Sequence, residues 1–226
     1  MNNEKYQENI EQYYKARFQN KAHKYFYQGD LVSEILYNRT RRYIKGRILD
    51  IGAGTGAFIK LLKTKGYCDA RGIDLCPKSD FVEKGSITNL EFEASVFNTI
   101  LCTEVLEHLD AAQLEKGLKE MYRVLARGGC LIITVPYEEL LEKDSAMCPA
   151  CGHKFHIVGH VQSFDKKRIS GILMRNEFSA VHMEVLPLPI MSKLPFSGFY
   201  WRLLMLFDKR IDFYKTLIVV AKRHRT

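Results

Sequence analysis

Short apolar runs rich in β-branched residues alternate with amphipathic stretches from residue 47 onward. The runs are RILDI, ARGID, FNTILCT and CLIITVP, and helices are expected over 56–65, 77–84, 110–126 and 165–176. This alternation predicts βαβ units and a parallel sheet. Two later runs, VHMEVL and TLIVVAK, have no full crossover between them, so they predict an antiparallel closing pair. The expected fold class is therefore α/β, with a doubly wound, mostly parallel sheet and an antiparallel last strand.

The length of 226 residues fits a single domain with small elaborations. Residues 1–45 predict an N-terminal cap of two amphipathic helices, because apolar side chains recur there every three or four positions. Residues 46–137 contain the regular alternation and form the expected core. Two insertions, at 138–163 and 187–213, each follow the carboxyl end of a strand. Since ligands of open α/β sheets bind at that edge, we expect both insertions to cover the site.

Three glycines at alternate positions follow the first expected strand, in the sequence DIGAGTG. Glycine allows a tight turn and a close approach of ligand to backbone. Gly52, Gly54 and Ala57 also match the dinucleotide pattern G-x-G-x-x-A, so the spacing alone leaves a nicotinamide-dependent oxidoreductase open. The Asp50 carboxylate beside the turn disfavours a pyrophosphate and favours a ligand with ammonium and sulfonium groups. Asp74 ends the second strand and can accept from both ribose hydroxyls of either nucleotide.

A family resemblance is carried by four motifs, which occur in this order: LDIGAGTG, GIDL, TEVLEHL at the end of the run FNTILCT, and RGG before the run CLIITVP. Together they resemble the class I S-adenosylmethionine-dependent methyltransferases, in particular a small-molecule group whose motif reads V-L-E-H. The resemblance covers about residues 45–137 and the remainder by topology. It implies a Rossmann-like fold and methyl transfer from S-adenosylmethionine to a small-molecule or a lipid- or glycan-linked acceptor.

The resemblance also implies the cofactor-binding residues. It places the glycine turn and Asp50 around the methionine part, Asp74 on the ribose and Leu75 against the adenine. At the position of Ser86 the family usually has an acid, and a serine hydroxyl can still accept a hydrogen bond there. The implied set is Asp50, Gly52, Ala53, Gly54, Gly56, Asp74, Leu75, Ser86, Ile87, Thr103, Glu104 and Val105.

His108 is the candidate catalytic base. It follows the expected strand FNTILCT on the ligand edge of the sheet, and the ordinary pKa of histidine lies near neutral pH. A histidine that only packs against the cofactor is the alternative. Glu104 and Glu107 are expected to accept hydrogen bonds from the backbone where the next helix begins.

Four potential metal ligands lie within 13 residues, in the pattern Cys148-x2-Cys151-x4-His156-x3-His160. A cysteine pair at this spacing followed by paired histidines is typical of zinc sites, and His153 could replace His156. Four protein ligands leave no open position, so the predicted zinc is structural and orders the insertion. Chance clustering and a redox cysteine pair are the alternatives.

The net charge of +8 is concentrated near the C-terminus, where residues 187–226 contain eight basic and two acidic side chains. Between Leu194 and Phe207, aromatic and aliphatic residues recur at helical spacing beside basic ones, which predicts a lid and allows peripheral membrane contact through 194–210. An ordinary helix packed on the sheet is the alternative.

The zinc-knuckle-like spacing and a pI of about 9.1 leave an RNA-binding protein as a further alternative. Nucleic acid is not the expected partner, because Lys154 is the only fixed positive charge within 148–160. No apolar run approaches the roughly 18 to 20 residues that span a bilayer, and the chain begins with polar residues, so a cytoplasmic location is expected. The sequence does not indicate an oligomeric state.

Overall fold

The computed structural model describes residues 29–147, 152, 154–188 and 215–223. Within these ranges the strands are β1 (Ile48–Ile51), β2 (Ala70–Asp74), β3 (Val82–Lys84), β4 (Phe97–Thr103), β5 (Leu125–Pro136), β6 (Ser145–Met147), β7 (Lys154–His156), β8 (Phe178–Leu186) and β9 (Thr216–Arg223). The α-helices are α1 (Gly29–Thr40), α2 (Ala57–Thr64), α3 (Ala111–Val124) and α4 (Lys166–Arg175).

Seven of these strands form one sheet in the order β3-β2-β1-β4-β5-β9-β8. The pairs from β3 to β5 are parallel, and β9 runs antiparallel to both β5 and β8. This confirms the expected mostly parallel sheet with an antiparallel last strand. The strand order reverses between β1 and β4, and ligands of such sheets bind in the crevice beyond the carboxyl ends at this point.

Both faces of the sheet are buried along its central strands. Along β5 and β9, alternate side chains enter two separate hydrophobic cores, as the two-residue period of a strand requires. Helices α3 and α4 contribute to the core on one face, and α1 and α2 contribute to the core on the other. The central strands β1, β4, β5 and β9 are therefore rich in consecutive apolar residues, which is the pattern expected of strands that are covered on both faces.

The predicted helix over 77–84 is wrong. The chain passes from β2 to β3 through an irregular connection, and Val82–Lys84 pairs with β2 as a strand. The connection contains Pro77, Ser79 and Asp80, residue types that favour turns over helices. The other three core helices are confirmed within two residues at each end, and α1 matches the second helix of the cap. The first cap helix lies outside the described residues.

The insertion over 138–163 contains a short antiparallel hairpin of β6 and β7, which no pattern in the sequence predicted. The ends of the insertion meet, because the Glu138 backbone N–H donates to the Phe164 carbonyl oxygen at 2.8 Å. The hairpin therefore projects from the carboxyl end of β5. In the part of the chain that the structure covers, no helix is both long and apolar enough to cross a membrane.

Candidate active site

The glycine turn connects β1 to α2 with three left-handed residues: Gly52, Gly54 and Gly56 have φ values of 77°, 53° and 74°. The turn is tied to β2, since the backbone N–H groups of Gly52 and Ala53 both donate to the Ile73 carbonyl oxygen, at 2.8 and 3.0 Å. A Cβ at Gly54 would meet nothing within 4 Å, which leaves open space beside the backbone. This turn has the close-approach geometry that a bound nucleotide needs.

Gly52 also lies against the loop that follows β4. A Cβ at Gly52 would lie 2.4 Å from Val105 Cγ2, closer than real contacts allow. Only a glycine therefore permits the loop after β4 to pack on the turn after β1. The two sequence-predicted motifs meet at the switch point of the sheet, as their positions after β1 and β4 implied.

The Asp74 carboxylate connects the end of β2 to the glycine turn. Its Oδ2 accepts from the Gly54 backbone N–H at 2.9 Å, and its Oδ1 accepts from the Cys76 N–H at 2.8 Å. Each oxygen retains a second lone pair, so the carboxylate can still accept from ribose hydroxyls. Asp74 thus supports the turn in addition to its predicted role.

Asp50 is buried, with 2% of its surface exposed, and its Oδ1 accepts no hydrogen bond. Burial, and then repulsion from the Asp74 carboxylate, raise the pKa of Asp50 to about 8. A buried acceptor without a donor is costly, so this position favours a ligand that supplies a positive donor.

The remaining predicted cofactor residues lie at the same edge of the sheet. Leu75 follows β2 and is half-buried, whereas the side chain of Ile87 packs into the hydrophobic core and against Gly117 of α3. The Ser86 hydroxyl lies 3.0 Å from the Thr88 hydroxyl oxygen. Thr103 ends β4, directly before the loop.

The loop after β4 begins with a strained residue. Glu104 has a φ of 53°, and its backbone N–H donates to the Thr134 carbonyl oxygen at 2.9 Å. Burial raises the pKa of the Glu104 carboxyl group, against the lowering effects of the Thr134 hydroxyl and His160. The expected capping role of Glu104 and Glu107 falls instead to Asp110, whose carboxylate accepts from the Gln113 N–H at 2.8 Å and begins α3.

The insertion returns to the core along this loop. We call residues 156–162 the return leg. The Val161 N–H donates to the Glu107 carbonyl oxygen at 2.8 Å, and the Gln162 side-chain amide donates to the carbonyl oxygens of Leu106 and Leu109 at 3.0 and 2.7 Å. The Nδ1 atom of His108 lies 3.1 Å from the Gly159 carbonyl oxygen. The return leg therefore covers the V-L-E-H motif.

A cluster of histidine and glutamate side chains forms where the return leg meets the loop. His160 Nδ1 lies 2.6 Å from Glu139 Oε2, and His156 Nε2 lies 3.6 Å from Glu139 Oε1. The Nε2 atoms of His108 and His160 each lie 3.9 Å from Glu107 Oε1. Sequence reasoning missed Glu139, because it is one of several acids between β5 and β6 and no motif distinguishes it from the others.

Of the four predicted zinc ligands, the structure places two. The rings of His156 and His160 are stacked, with centroids 4.7 Å apart. Cys148 and Cys151, and the alternative ligand His153, lie outside the described residues.

A seven-stranded sheet of this order, with a glycine turn after β1 and an acid at the end of β2, defines the Rossmann-like fold of S-adenosylmethionine-dependent methyltransferases. The chain belongs to the methyltransferase domain family, which matches residues 7–183.

Solved structures agree with this fold. An S-adenosylmethionine-dependent methyltransferase of Methanosarcina mazei has a TM-score of 0.61 and 18% identity, over 84% of this chain and 99% of that chain. The 1,6-didemethyltoxoflavin-N1-methyltransferase of Burkholderia thailandensis, with bound 1,6-didemethyltoxoflavin and S-adenosylhomocysteine, has a TM-score of 0.69 and 14% identity, over 99% of this chain and 91% of that chain.

Curated relatives are more similar in sequence but match a shorter segment. An uncharacterised protein of Methanocaldococcus jannaschii is 33% identical over 102 residues, which are 43% of this chain and 44% of that protein. The chain spans about half the length of the curated relatives it matches.

Proposed function

We propose that the chain binds S-adenosylmethionine and transfers its methyl group to a small-molecule or a lipid- or glycan-linked acceptor. The observation that carries this proposal is the buried Asp50 carboxyl group, whose Oδ1 has no donor, beside a turn with open space at Gly54. An ammonium group would supply the missing donor. A dinucleotide pyrophosphate would instead meet an acid, so this donor deficit favours S-adenosylmethionine over NAD(P).

The cofactor supplies an activated methyl group on a positively charged sulfur. In our proposal Asp50 binds the ammonium, and the turn of Gly52, Ala53, Gly54 and Gly56 surrounds the methionine part. Asp74 accepts from the ribose hydroxyls while holding the turn through the Gly54 N–H. Direct displacement needs the acceptor in line with the sulfur, so positioning is the main contribution of the protein.

His108 is the proposed base for acceptors that must lose a proton. The Gly159 carbonyl oxygen can only accept, so the His108 Nδ1 that faces it carries the proton. In a neutral ring the Nε2 atom then keeps a lone pair that can take a proton. The close approach of Val105 to Gly52 supports this role, because Val105 belongs to the same loop as His108.

Calorimetry with S-adenosylhomocysteine tests the proposal, with NAD and NADP as the competing ligands. We expect S-adenosylhomocysteine to bind one site per chain and the dinucleotides to bind at least 100-fold more weakly. Preferential binding of a dinucleotide would refute the methyltransferase proposal and favour the oxidoreductase. Mass spectrometry of cell extracts incubated with labelled cofactor then identifies the acceptor.

A structural zinc ion in the insertion, bound by Cys148, Cys151, His156 and His160, is a second proposal. Its support is the stacking of the two histidines at the base of the hairpin that leads to the cysteines.

A cytoplasmic location also stays a proposal. The lid and membrane contact predicted for 187–213 rest on the sequence pattern, because only Pro187 and Leu188 of that segment are described.

A further inference from the structure

Three potential metal ligands converge where the return leg meets the loop after β4. The Glu107 Oε1 atom lies 3.9 Å from His108 Nε2 and 3.9 Å from His160 Nε2. All three ligand atoms lie within 4.8 Å of one another. Metal–ligand bonds of about 2.0 to 2.1 Å place neighbouring ligands about 3.0 to 3.4 Å apart, so movements below about 1 Å would close the site.

The other nitrogen of each histidine already has the partner that a metal-binding histidine needs. His108 Nδ1 lies 3.1 Å from the Gly159 carbonyl oxygen, and His160 Nδ1 lies 2.6 Å from Glu139 Oε2. Both partners are acceptors, so they hold the protons on the Nδ1 atoms. The two Nε2 lone pairs then face the Glu107 carboxylate. Carboxylates and backbone carbonyls in this position orient histidines for metal binding and increase their basicity.

The three side chains are more deeply buried than the members of a cluster of charges at the protein surface. The side chain of Glu107 is 1% exposed, that of His160 is 11% exposed and that of His108 is 16% exposed. Electrostatic attraction is stronger where water is excluded, so a divalent ion shared by the Glu107 carboxylate and two neutral imidazoles would be bound more tightly here than at a surface site.

We propose that Glu107, His108 and His160 form a binding site for a divalent transition metal ion at the acceptor side of the active site, with Glu139 as a positioning residue. Two imidazoles and one carboxylate suit zinc or iron rather than magnesium or calcium. Three protein ligands leave at least one coordination position open. The open position takes water or an oxygen or nitrogen atom of the acceptor, and metal binding lowers the pKa of such a group.

This inference deepens the proposed function, because it assigns the acceptor class as a metal-binding oxygen or nitrogen compound. It also competes with two parts of the proposals above. The structural zinc site requires His160 as well, and a His108 ring whose Nε2 atom binds a metal cannot act as the base. The two sites differ in their other ligands: one contains two thiolates, and the other contains none.

Cobalt substitution separates the two sites in the unmodified chain. Cobalt(II) bound by thiolates gives an intense thiolate-to-metal charge-transfer band in the near ultraviolet, whereas nitrogen and oxygen ligands give only the weaker visible bands. We expect one cobalt ion per chain, with visible bands and no thiolate band. A strong thiolate band with one ion per chain would place the metal at the cysteines and overturn the proposal, as would an absence of binding at micromolar cobalt.

Variants give an independent readout through zinc affinity, measured by competition with a chromogenic chelator. Glu107→Gln and His108→Gln should each weaken zinc binding at least 10-fold, and Glu139→Gln should weaken it about 10- to 100-fold through the loss of orientation. The Cys148→Ser, Cys151→Ser double variant should keep the zinc affinity within about 3-fold. Matched controls are Glu115→Gln on α3 and His182→Gln on β8, which should leave it unchanged.

Loss of zinc in the double cysteine variant with retention in Glu107→Gln would overturn the proposal. If Glu107→Gln does not fold, the cobalt spectrum of the unmodified chain alone distinguishes the proposed site from a site that contains the cysteines. Calorimetry with S-adenosylhomocysteine on the same samples keeps the two proposals apart. Zinc binding without cofactor binding would refute the methyltransferase function only, and cofactor binding without a metal would refute the metal site only.

Discussion

Asp50→Asn should remove a pH dependence that Asp50 imposes on cofactor binding. The native pKa of about 8 lies far above the ordinary value of 3.8 because of burial and the Asp74 carboxylate. Cys102 lies on β4, which pairs with β1. Its thiol stays uncharged beside Asp50, because burial and then the acidic neighbours Glu107 and Asp50 raise its pKa well above the ordinary value. An ammonium group binds the ionised carboxylate, so cofactor affinity should increase as pH rises toward 8.

The magnitude follows from the fraction of ionised Asp50. With a pKa of about 8, that fraction rises about 50-fold between pH 6 and pH 8. The affinity for S-adenosylhomocysteine should therefore rise about 50-fold over this interval, with uptake of the ligand accompanied by release of up to about one proton. The stability of the cofactor-free protein changes in the opposite direction. Between about pH 4 and pH 8 the unfolded chain loses a proton that the folded chain keeps, so the free energy of unfolding falls by about 5 kcal/mol.

Calorimetry at pH 6, 7 and 8, in two buffers of different ionisation enthalpy, measures both the affinity and the released protons. Asp50→Asn should bind S-adenosylhomocysteine with nearly the same, weak affinity at every pH and release no proton at this site. Asp69→Asn is the matched control, since Asp69 is half-exposed and pairs with Arg47 at 2.7 Å, and it should retain the parent's pH dependence. Equal affinity of the unmodified chain at pH 6 and pH 8 would refute the assignment of Asp50 to the ammonium.

Gly52→Ala should destabilise the fold by about 1 to 3 kcal/mol in urea unfolding, because its Cβ would lie 2.4 Å from Val105 Cγ2 at a φ of 77°. Gly171→Ala in helix α4 is the matched control, because a Cβ there would meet only the Arg175 guanidinium, and it should stabilise the fold by about 0.5 to 1 kcal/mol. Equal effects of the two substitutions would contradict the close approach of Val105 to Gly52. Asp74→Ala should weaken S-adenosylhomocysteine binding by about 1 to 3 kcal/mol in calorimetry, and unchanged affinity would remove Asp74 from the ribose site. Gln162→Ala should increase amide exchange across the return leg by about 10-fold or more, because two carbonyl contacts are lost; unchanged protection would show that other contacts hold the insertion.

The local signals in the sequence were sufficient to place the strands β1 and β4 and the turns that follow them. Each glycine of DIGAGTG marks a backbone conformation, and β-branched runs mark doubly buried strands, so β1, β4 and their following turns could be placed from short windows. The same reasoning failed at 77–84. There the helix was expected only from the alternation of strands and helices, whereas Pro77 and the turn-forming residues beside it oppose a helix, and Val82–Lys84 pairs with β2 as a strand.

The histidine and glutamate cluster could not be predicted, because it depends on how a distant segment returns to the core. Spacing placed His160 beside Cys148 and Cys151, where sequence proximity favours a zinc site. In the described residues, His160 is positioned by its neighbour Gln162, whose side-chain amide donates to the carbonyl oxygens of Leu106 and Leu109 in the loop after β4. Those contacts turn the His160 ring toward Glu107, while Glu139 holds its other nitrogen. A histidine's role thus follows from the acceptors around both of its nitrogens, and these are fixed by tertiary contacts that no local pattern records.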